Sequence, residues 1–270
     1  MPPGYNKLCE FEDFGDETLG RWMRAISPRD ADALPSFPVG REHRKYWEYA
    51  QAARTLTDFG AIHPEAEILG VAAGTEATIF WATNHVRRMF ATDLYLEAGT
   101  WETDAPRSML LMPGEHAPGP WDERRLVVQH MNALELRFED DSFDGVFSSS
   151  SLEHFGDWDH VRLAVSEMWR VLKPGGVATI STEFRLRGRG PGFPGTLVFD
   201  AAELDEVIVR PLAWELVEPL DLTLSKSTRK TEVSLADKLA GTAPQFPHIV
   251  VRNGKILFTS VHLALRKSRT

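Results

Sequence analysis

Residues Glu67 to Asp93 read EILGVAAGTEATIFWATNHVRRMFATD, and the order of residue types in this stretch decides the fold. Glu67 to Ala72 is a short apolar run of the kind that fills a buried parallel strand. It runs into a tight turn of small residues, Ala73-Gly74-Thr75-Glu76, after which Ala77, Ile79, Phe80 and Trp81 fill a helix. Val86 to Ala91 predicts a second strand, and an acid, Asp93, follows it nineteen residues after Gly74. Strand, small-residue turn, helix, strand and acid make up the first half of a doubly wound α/β sheet.

In such a sheet the first turn lets a ligand approach the backbone, and an acid at the tip of the second strand can hold two ribose hydroxyls. A dinucleotide would need the full G-x-G-x-x-G pattern, because its pyrophosphate sits against bare backbone at the helix start. That pattern is absent: Ala72 and Glu76 stand where the first and last glycines of a loop centred on Gly74 would fall, and a carboxylate at the helix start repels a pyrophosphate. A ligand with a ribose and no phosphate fits better, and S-adenosylmethionine is one such ligand.

Four stretches carry a family likeness: ILGVAAGTE, ATDLY, NALELRFEDDSFDGVFSSSSLEHF and LKPGG. In order and spacing the chain from roughly Ile62 to Phe184 resembles class I S-adenosylmethionine-dependent methyltransferases, chiefly their small-molecule, type 11-like branch. The resemblance implies a mostly parallel seven-stranded Rossmann-like sheet. It also implies S-adenosyl-L-methionine as cofactor, held by Gly70, Ala72, Gly74, Thr75, Glu76, Asp93 and Leu94. Asn132 and Ala133 would read the adenine, while Ser149 and Ser150 would complete the wall. The chain departs from the family at Gly70, where an acid is usual, and at Ala72 and Glu76, where glycines are usual.

The 270 residues are 43% apolar, with eight Trp and fifteen Phe, which suffices for one large α/β domain with additions. The expected division is a cap over residues 1–60 and the cofactor-binding domain over 61–270, with insertions near 94–125, 185–200 and 225–254. A net charge of −9 argues against a nucleic-acid backbone as main partner. One cysteine, Cys9, excludes an intrachain disulfide. No apolar run reaches membrane-spanning length and the start of the chain is too polar for a signal peptide, so no membrane partner and a cytoplasmic location are expected. Self-association into a homodimer stays open.

Along the chain, Glu17 to Ile26 and Arg41 to Phe59 predict helices. In the resembling family the segment before the first strand often covers the cofactor, so Arg41, His43 and Arg44 either meet its carboxylate or form a solvated basic face. Trp101, Met109, Leu110, Met112 and Trp121 make the long connection after Asp93 too apolar for a linker, and it is expected to pack over the site or against a partner chain. Leu126 to Met131 and Phe143 to Ser149 predict the third and fourth strands. Trp158, Val161, Val165, Met168, Trp169 and Leu172 mark the buried stripe of a helix. Val177 to Glu183 predicts a fifth strand, Ala201 to Val209 and Glu232 to Leu239 short helices, and Trp214 to Leu224 with Lys255 to Leu265 an antiparallel closing pair.

Catalytic candidates lie at the end of the fourth strand, where open α/β sheets bind ligands. Methyl transfer from a sulfonium is an in-line displacement, so the protein mainly aligns the partners and removes a proton. His154 is the best-placed base, since an imidazole titrates close to neutrality, and Glu153 stands beside it. The other reading gives both residues a turn-shaping role. The crowding of Glu153, His154, Asp157, Asp159 and His160 raises a metal, but Asp157 is better placed to cap the following helix, so no metal is expected. Arg185, Arg187 and Arg189 could clamp a carboxylate, phosphate or sugar of a small-molecule acceptor, or belong to a solvated loop. The expected reaction is transfer of a methyl group to a hydroxyl, less readily an amine, of a small polar metabolite such as a saccharide. Two rivals share the architecture: a catalytically silent protein of the same fold, and a nicotinamide-dependent oxidoreductase.

Overall fold

The computed structural model describes residues 3–97, 105–212 and 214–269. Its main sheet contains β1 (Lys7–Leu8), β2 (Glu67–Val71), β3 (Arg88–Asp93), β4 (Leu126–His130), β5 (Phe143–Ser149) and β6 (Leu172–Arg187). A small hairpin, β7 (Gly192–Phe193) and β8 (Thr196–Leu197), stands apart. The main sheet is completed by β9 (Glu215–Leu216), β10 (Val233–Ser234), β11 (Val251–Asn253) and β12 (Ile256–Arg266). The helices that matter for the site are α1 (Glu17–Ile26), α2 (Pro28–Ala33), α3 (Arg44–Asp58), α4 (Ala77–Thr83), α5 (Ser108–Leu111) and α6 (Trp158–Val171).

The strand order is β10-β11-β12-β6-β5-β2-β3-β4, with β1 and β9 also pairing to β12. From β4 to β6 all neighbours are parallel, and β12 runs antiparallel to β6. The chain leaves β2 toward β3 and β4, then crosses to β5 on the other side of β2. This reversal opens a crevice at the carboxyl ends of β2 and β5, where ligands bind in sheets of this kind.

Alternation along the strands covers both faces. Leu69, Val71, Val146, Ala178 and Ile180 pack with Val161, Val165 and Met168 of α6. Ile68, Met89 and Phe147 pack on the opposite face with Leu56 of α3 and with Ile79 and Phe80 of α4. The start of α6 is fixed by Asp157, whose carboxylate accepts from the N–H groups of Asp159 and His160, which is the capping role expected for it. Among the described residues no three His, Cys, Asp or Glu side chains gather as a metal site. No helix among them is long and apolar enough to cross a membrane.

The doubly wound, mostly parallel architecture matches the expectation, and details differ. Among the described residues ten strands join the sheet in place of seven, because β1, β10 and β11 add two- or three-residue pairings at the β12 side. The expected strand from Trp214 to Leu224 shrinks to Glu215–Leu216, since Pro219 lacks the N–H a ladder needs. Beyond it, Asp221 turns its backbone to Asn6. Met109 is buried and Trp121 packs on Phe80, as expected, whereas Met112 is exposed; Trp101 lies outside the described residues.

Gly70 belongs to this packing and not to the cavity wall. A Cβ there would lie 2.8 Å from Phe147 Cζ and 2.9 Å from Ala73 Cβ, so two apolar side chains fill the volume that an acid would need. Gly70→Ala is therefore expected to destabilise the protein by about 1–3 kcal/mol, the scale of overpacking, in urea unfolding. Unchanged stability would show that Phe147 yields freely.

Candidate functional site

A cavity of about 330 Å³ occupies the crevice. Its floor is made by chain segments leaving three parallel strands: Ala72 to Glu76 after β2, Asp93 and Leu94 after β3, and Ser149 to Ser151 after β5. Ala72 and Ser150 both adopt left-handed backbone, with φ of 49° and 52°, a conformation that costs a residue with a Cβ of order 1 kcal/mol or more and clusters at ligand sites. Ala72 thus keeps a backbone shape that favours glycine although its sequence does not. Ser151 ties the two ends together by donating its hydroxyl to the Ala72 carbonyl at 2.8 Å.

Asp93 organises the turn. Its carboxylate accepts from the Gly74 N–H at 2.8 Å and from the Leu94 N–H at 2.7 Å. The Tyr95 hydroxyl donates to the Gly74 carbonyl at 2.8 Å, so Gly74 is held through both its backbone groups. Burial, with the nearby Asp93 and Glu76 charges, raises the Tyr95 hydroxyl above its ordinary pKa and keeps it a donor.

Helix α3 closes the cavity from above with Lys45 and Tyr49. The fully buried Glu48, one turn along from Lys45, reaches the strand ends: it accepts from the Ser150 hydroxyl at 2.7 Å and from the Ser260 hydroxyl. Lys45 Nζ lies 3.5 Å from Glu48 Oε2. Burial pushes the Glu48 carboxyl up, but Lys45, Arg44 and the two hydroxyls outweigh it and hold the group below the usual carboxylate range. Burial likewise disfavours the Lys45 ammonium, and the surrounding Glu48, Tyr49, Glu153 and Glu76 reverse the effect and keep it charged. A third of the Lys45 side chain stays open, at 36%.

Glu76 is nearly buried on the cavity wall and its Oε2 has no hydrogen-bond partner. Burial pushes its carboxyl well above the usual range; Lys45 and the Ser149 hydroxyl lower it, while Glu48 and Asp93 push it further up.

His154 is exposed at the cavity mouth, with Nδ1 2.8 Å from the carbonyl oxygen of Gly195 in the β7–β8 turn. A carbonyl only accepts, so Nδ1 carries the hydrogen in this contact. Glu153 points away from the cavity: it is buried, Oε2 accepts from the Thr182 hydroxyl at 2.8 Å, and Oε1 is unpartnered. Burial pushes its carboxyl up to about 7, with His154 opposing and Glu183 reinforcing the shift.

The cavity therefore brings together Ala72, Gly74, Thr75, Glu76, Asp93, Leu94, Ser149, Ser150 and His154, and leaves other expected residues elsewhere. Asn132 sits in an exposed turn where its Oδ1 accepts from the Leu134 N–H, and Ala133 is buried on the α6 face. Arg185 is held inside the protein by Asp200 and Glu203, so its guanidinium is not available to an acceptor. Arg187 and Arg189 are exposed and lie off the cavity wall. The basic residues expected at the start of α3 have other tasks: Arg41 pairs with Asp30, the His43 ring accepts from the Lys45 N–H, and Arg44 pairs with Glu183. Lys45 and Tyr49, one helical turn apart and not among the expected residues, line the cavity in place of Arg41, His43 and Arg44. Their i, i+4 spacing was the available signal.

Residues 69–180 match the family described as Methyltransferase domain. Over 89 residues the chain is 40% identical to the Mycolicibacterium smegmatis protein named "Probable S-adenosylmethionine-dependent methyltransferase", a match covering 31% of this chain and 34% of that protein. The chain thus spans about a third of the length of this curated relative. Among solved structures, the [4+2]-cyclase SpnF superposes with a TM-score of 0.57 at 16% identity, covering 93% of this chain and 96% of the other. Phosphoethanolamine N-methyltransferase 2 of Haemonchus contortus, solved with S-adenosyl-L-methionine, superposes with a TM-score of 0.53 at 17% identity, covering 81% and 52%. These two likenesses concern the fold.

The raised Glu153 carboxyl has a consequence for stability. Because its folded-state value lies above that of a free carboxyl, the stability it contributes is complete below about pH 4.5 and is lost as pH rises through about 7. Glu153→Gln keeps an acceptor for Thr182 and removes the charge. It is expected to stabilise the protein by about 1–3 kcal/mol at pH 8 and to flatten this part of the pH profile, as read from thermal unfolding between pH 5 and 8. An equal loss at all pH values would show that the carboxyl is not the titrating group.

Proposed function

We propose that residues 69–180, which match the family described as Methyltransferase domain, form a class I S-adenosylmethionine-dependent methyltransferase domain, and that the chain moves a methyl group from S-adenosyl-L-methionine to a hydroxyl of a small polar metabolite. A saccharide-like polyol is the first acceptor to test and an amine the second. In this reading residues 1–60 cap the cavity through α3, and residues 61–270 form the domain that binds cofactor and acceptor.

The observation that carries the reading is Asp93. Its carboxylate lines the cavity at the tip of β3 and is oriented there by the Gly74 and Leu94 N–H groups, the position from which an acid reaches ribose hydroxyls. The rest of the wall fits the same ligand. Lys45 offers a cation to the amino-acid carboxylate, and Glu76 offers an unpaired buried oxygen to a positive charge. Asn132 stands off this wall, in the exposed turn after β4, where its Oδ1 keeps a second lone pair for an exocyclic amine beyond the one used by Leu134. The left-handed Ala72 speaks against the silent rival, because the loop keeps its shape in spite of losing glycine.

The cofactor would supply an activated methyl group for in-line displacement. His154 would take the acceptor's proton at Nε2, with Gly195 holding the ring by Nδ1. Tyr49, Ser150 and Ser151 line the wall where hydroxyl groups of an acceptor can bond. Loss of the glycine pattern and an acid at Glu76 disfavour a pyrophosphate, and with it the nicotinamide rival.

Asp93→Ala is expected to weaken S-adenosylmethionine binding by about 1–3 kcal/mol in titration calorimetry; unchanged affinity would remove the ribose assignment. His154→Ala is expected to lower turnover about 100-fold or more in a labelled-methyl transfer assay across polyols and amines, with cofactor affinity preserved. Full turnover in that variant would send the proton elsewhere.

A further inference from the structure

Glu76 occupies the N-cap position of α4, yet its side chain makes no capping hydrogen bond. An acid there ordinarily accepts from the first-turn N–H groups. This one turns into the cavity, where it is 6% exposed with Oε2 unpartnered. The other acids around it have dedicated donors. Asp93 has the Gly74 and Leu94 N–H groups, and Glu48 has Ser150, Ser260 and the nearby Lys45. Glu76 faces the Ser149 hydroxyl from β5, the Lys45 and Glu48 charges from α3, and Asp93 and Tyr95 from the end of β3. Two carboxylates against one shared ammonium leave a deficit of positive charge at this point of the wall.

We propose that Glu76 reads the positive charge of the bound cofactor as a carboxylate, and that it releases one proton to solvent each time the cofactor binds. The proposal rests on the cofactor reading above. A carboxylate oxygen buried here without a donor is costly, so before the ligand binds the protonated acid is favoured. A ligand cation removes the cost, the proton leaves, and binding free energy becomes dependent on pH. Two cations of S-adenosylmethionine could fill the role, the sulfonium and the α-ammonium. S-adenosylhomocysteine carries only the second.

The test is titration calorimetry with each ligand in two buffers of different ionisation enthalpy, at about pH 7, repeated from about pH 6 to about pH 7.5. For the full chain the expected result is net release approaching one proton per ligand, with affinity falling up to about tenfold for each pH unit lowered. In Glu76→Gln the release and the pH dependence should both disappear. Release with both ligands identifies the ammonium as the partner, and release with S-adenosylmethionine alone identifies the sulfonium. Binding with equal heats in the two buffers, or equal proton release from Glu76→Gln, overturns the proposal while leaving the cofactor reading intact. No binding of either ligand overturns the cofactor reading and this proposal with it. The proton count on the unmodified chain does not depend on how well the variant folds.

Discussion

The site depends on one carboxylate bridging two backbone segments. Asp93 ends β3, and by accepting from the Gly74 and Leu94 N–H groups it locks the turn after β2 to the turn after β3. Charge-assisted bonds of this type contribute roughly 1.5–3 kcal/mol each. Tyr95 holds the Gly74 carbonyl from the other side. The strand ends therefore stay apart at a fixed spacing, and a cavity persists where apolar side chains would otherwise close in.

A second layer of polar contacts sets the height of α3 over that cavity. Arg44 pairs with Glu183 of β6, and Glu48 reaches Ser150 beyond β5 and Ser260 of β12. Buried ion pairs of this kind often break even in stability, because desolvation consumes the Coulombic gain. Their effect here is geometric. Three strands grip one helix through directional bonds, and Lys45 and Tyr49 arrive at the cavity as a result.

The fold was legible from residues 67–93 because a buried parallel strand, a small-residue turn and a terminal acid have few alternative packings. The bounds expected for α1, Glu17 to Ile26, and for β5, Phe143 to Ser149, are those of the structure. The site was legible where backbone geometry made it, at Ala72 to Glu76, Asp93 and the serines after β5. It was illegible where long side chains choose among partners. Nothing in the order of residues says that Arg185 meets Asp200 and Glu203, or that Arg44 turns to Glu183 while Lys45 turns to the cavity. Those choices depend on which acids the folded sheet delivers nearby. Pro219 cut short a strand that side-chain alternation alone had suggested.

The strand β12 sits at the junction of nearly everything described above. It hydrogen-bonds to β1, β6, β9 and β11, and its Ser260 holds Glu48. Lys7 pairs with His262 across some 250 positions of chain, a separation that makes loop closure slow. The first strand and the helix over the cavity are thus both tied to the last strand, β1 by its ladder and α3 through the Glu48–Ser260 bond.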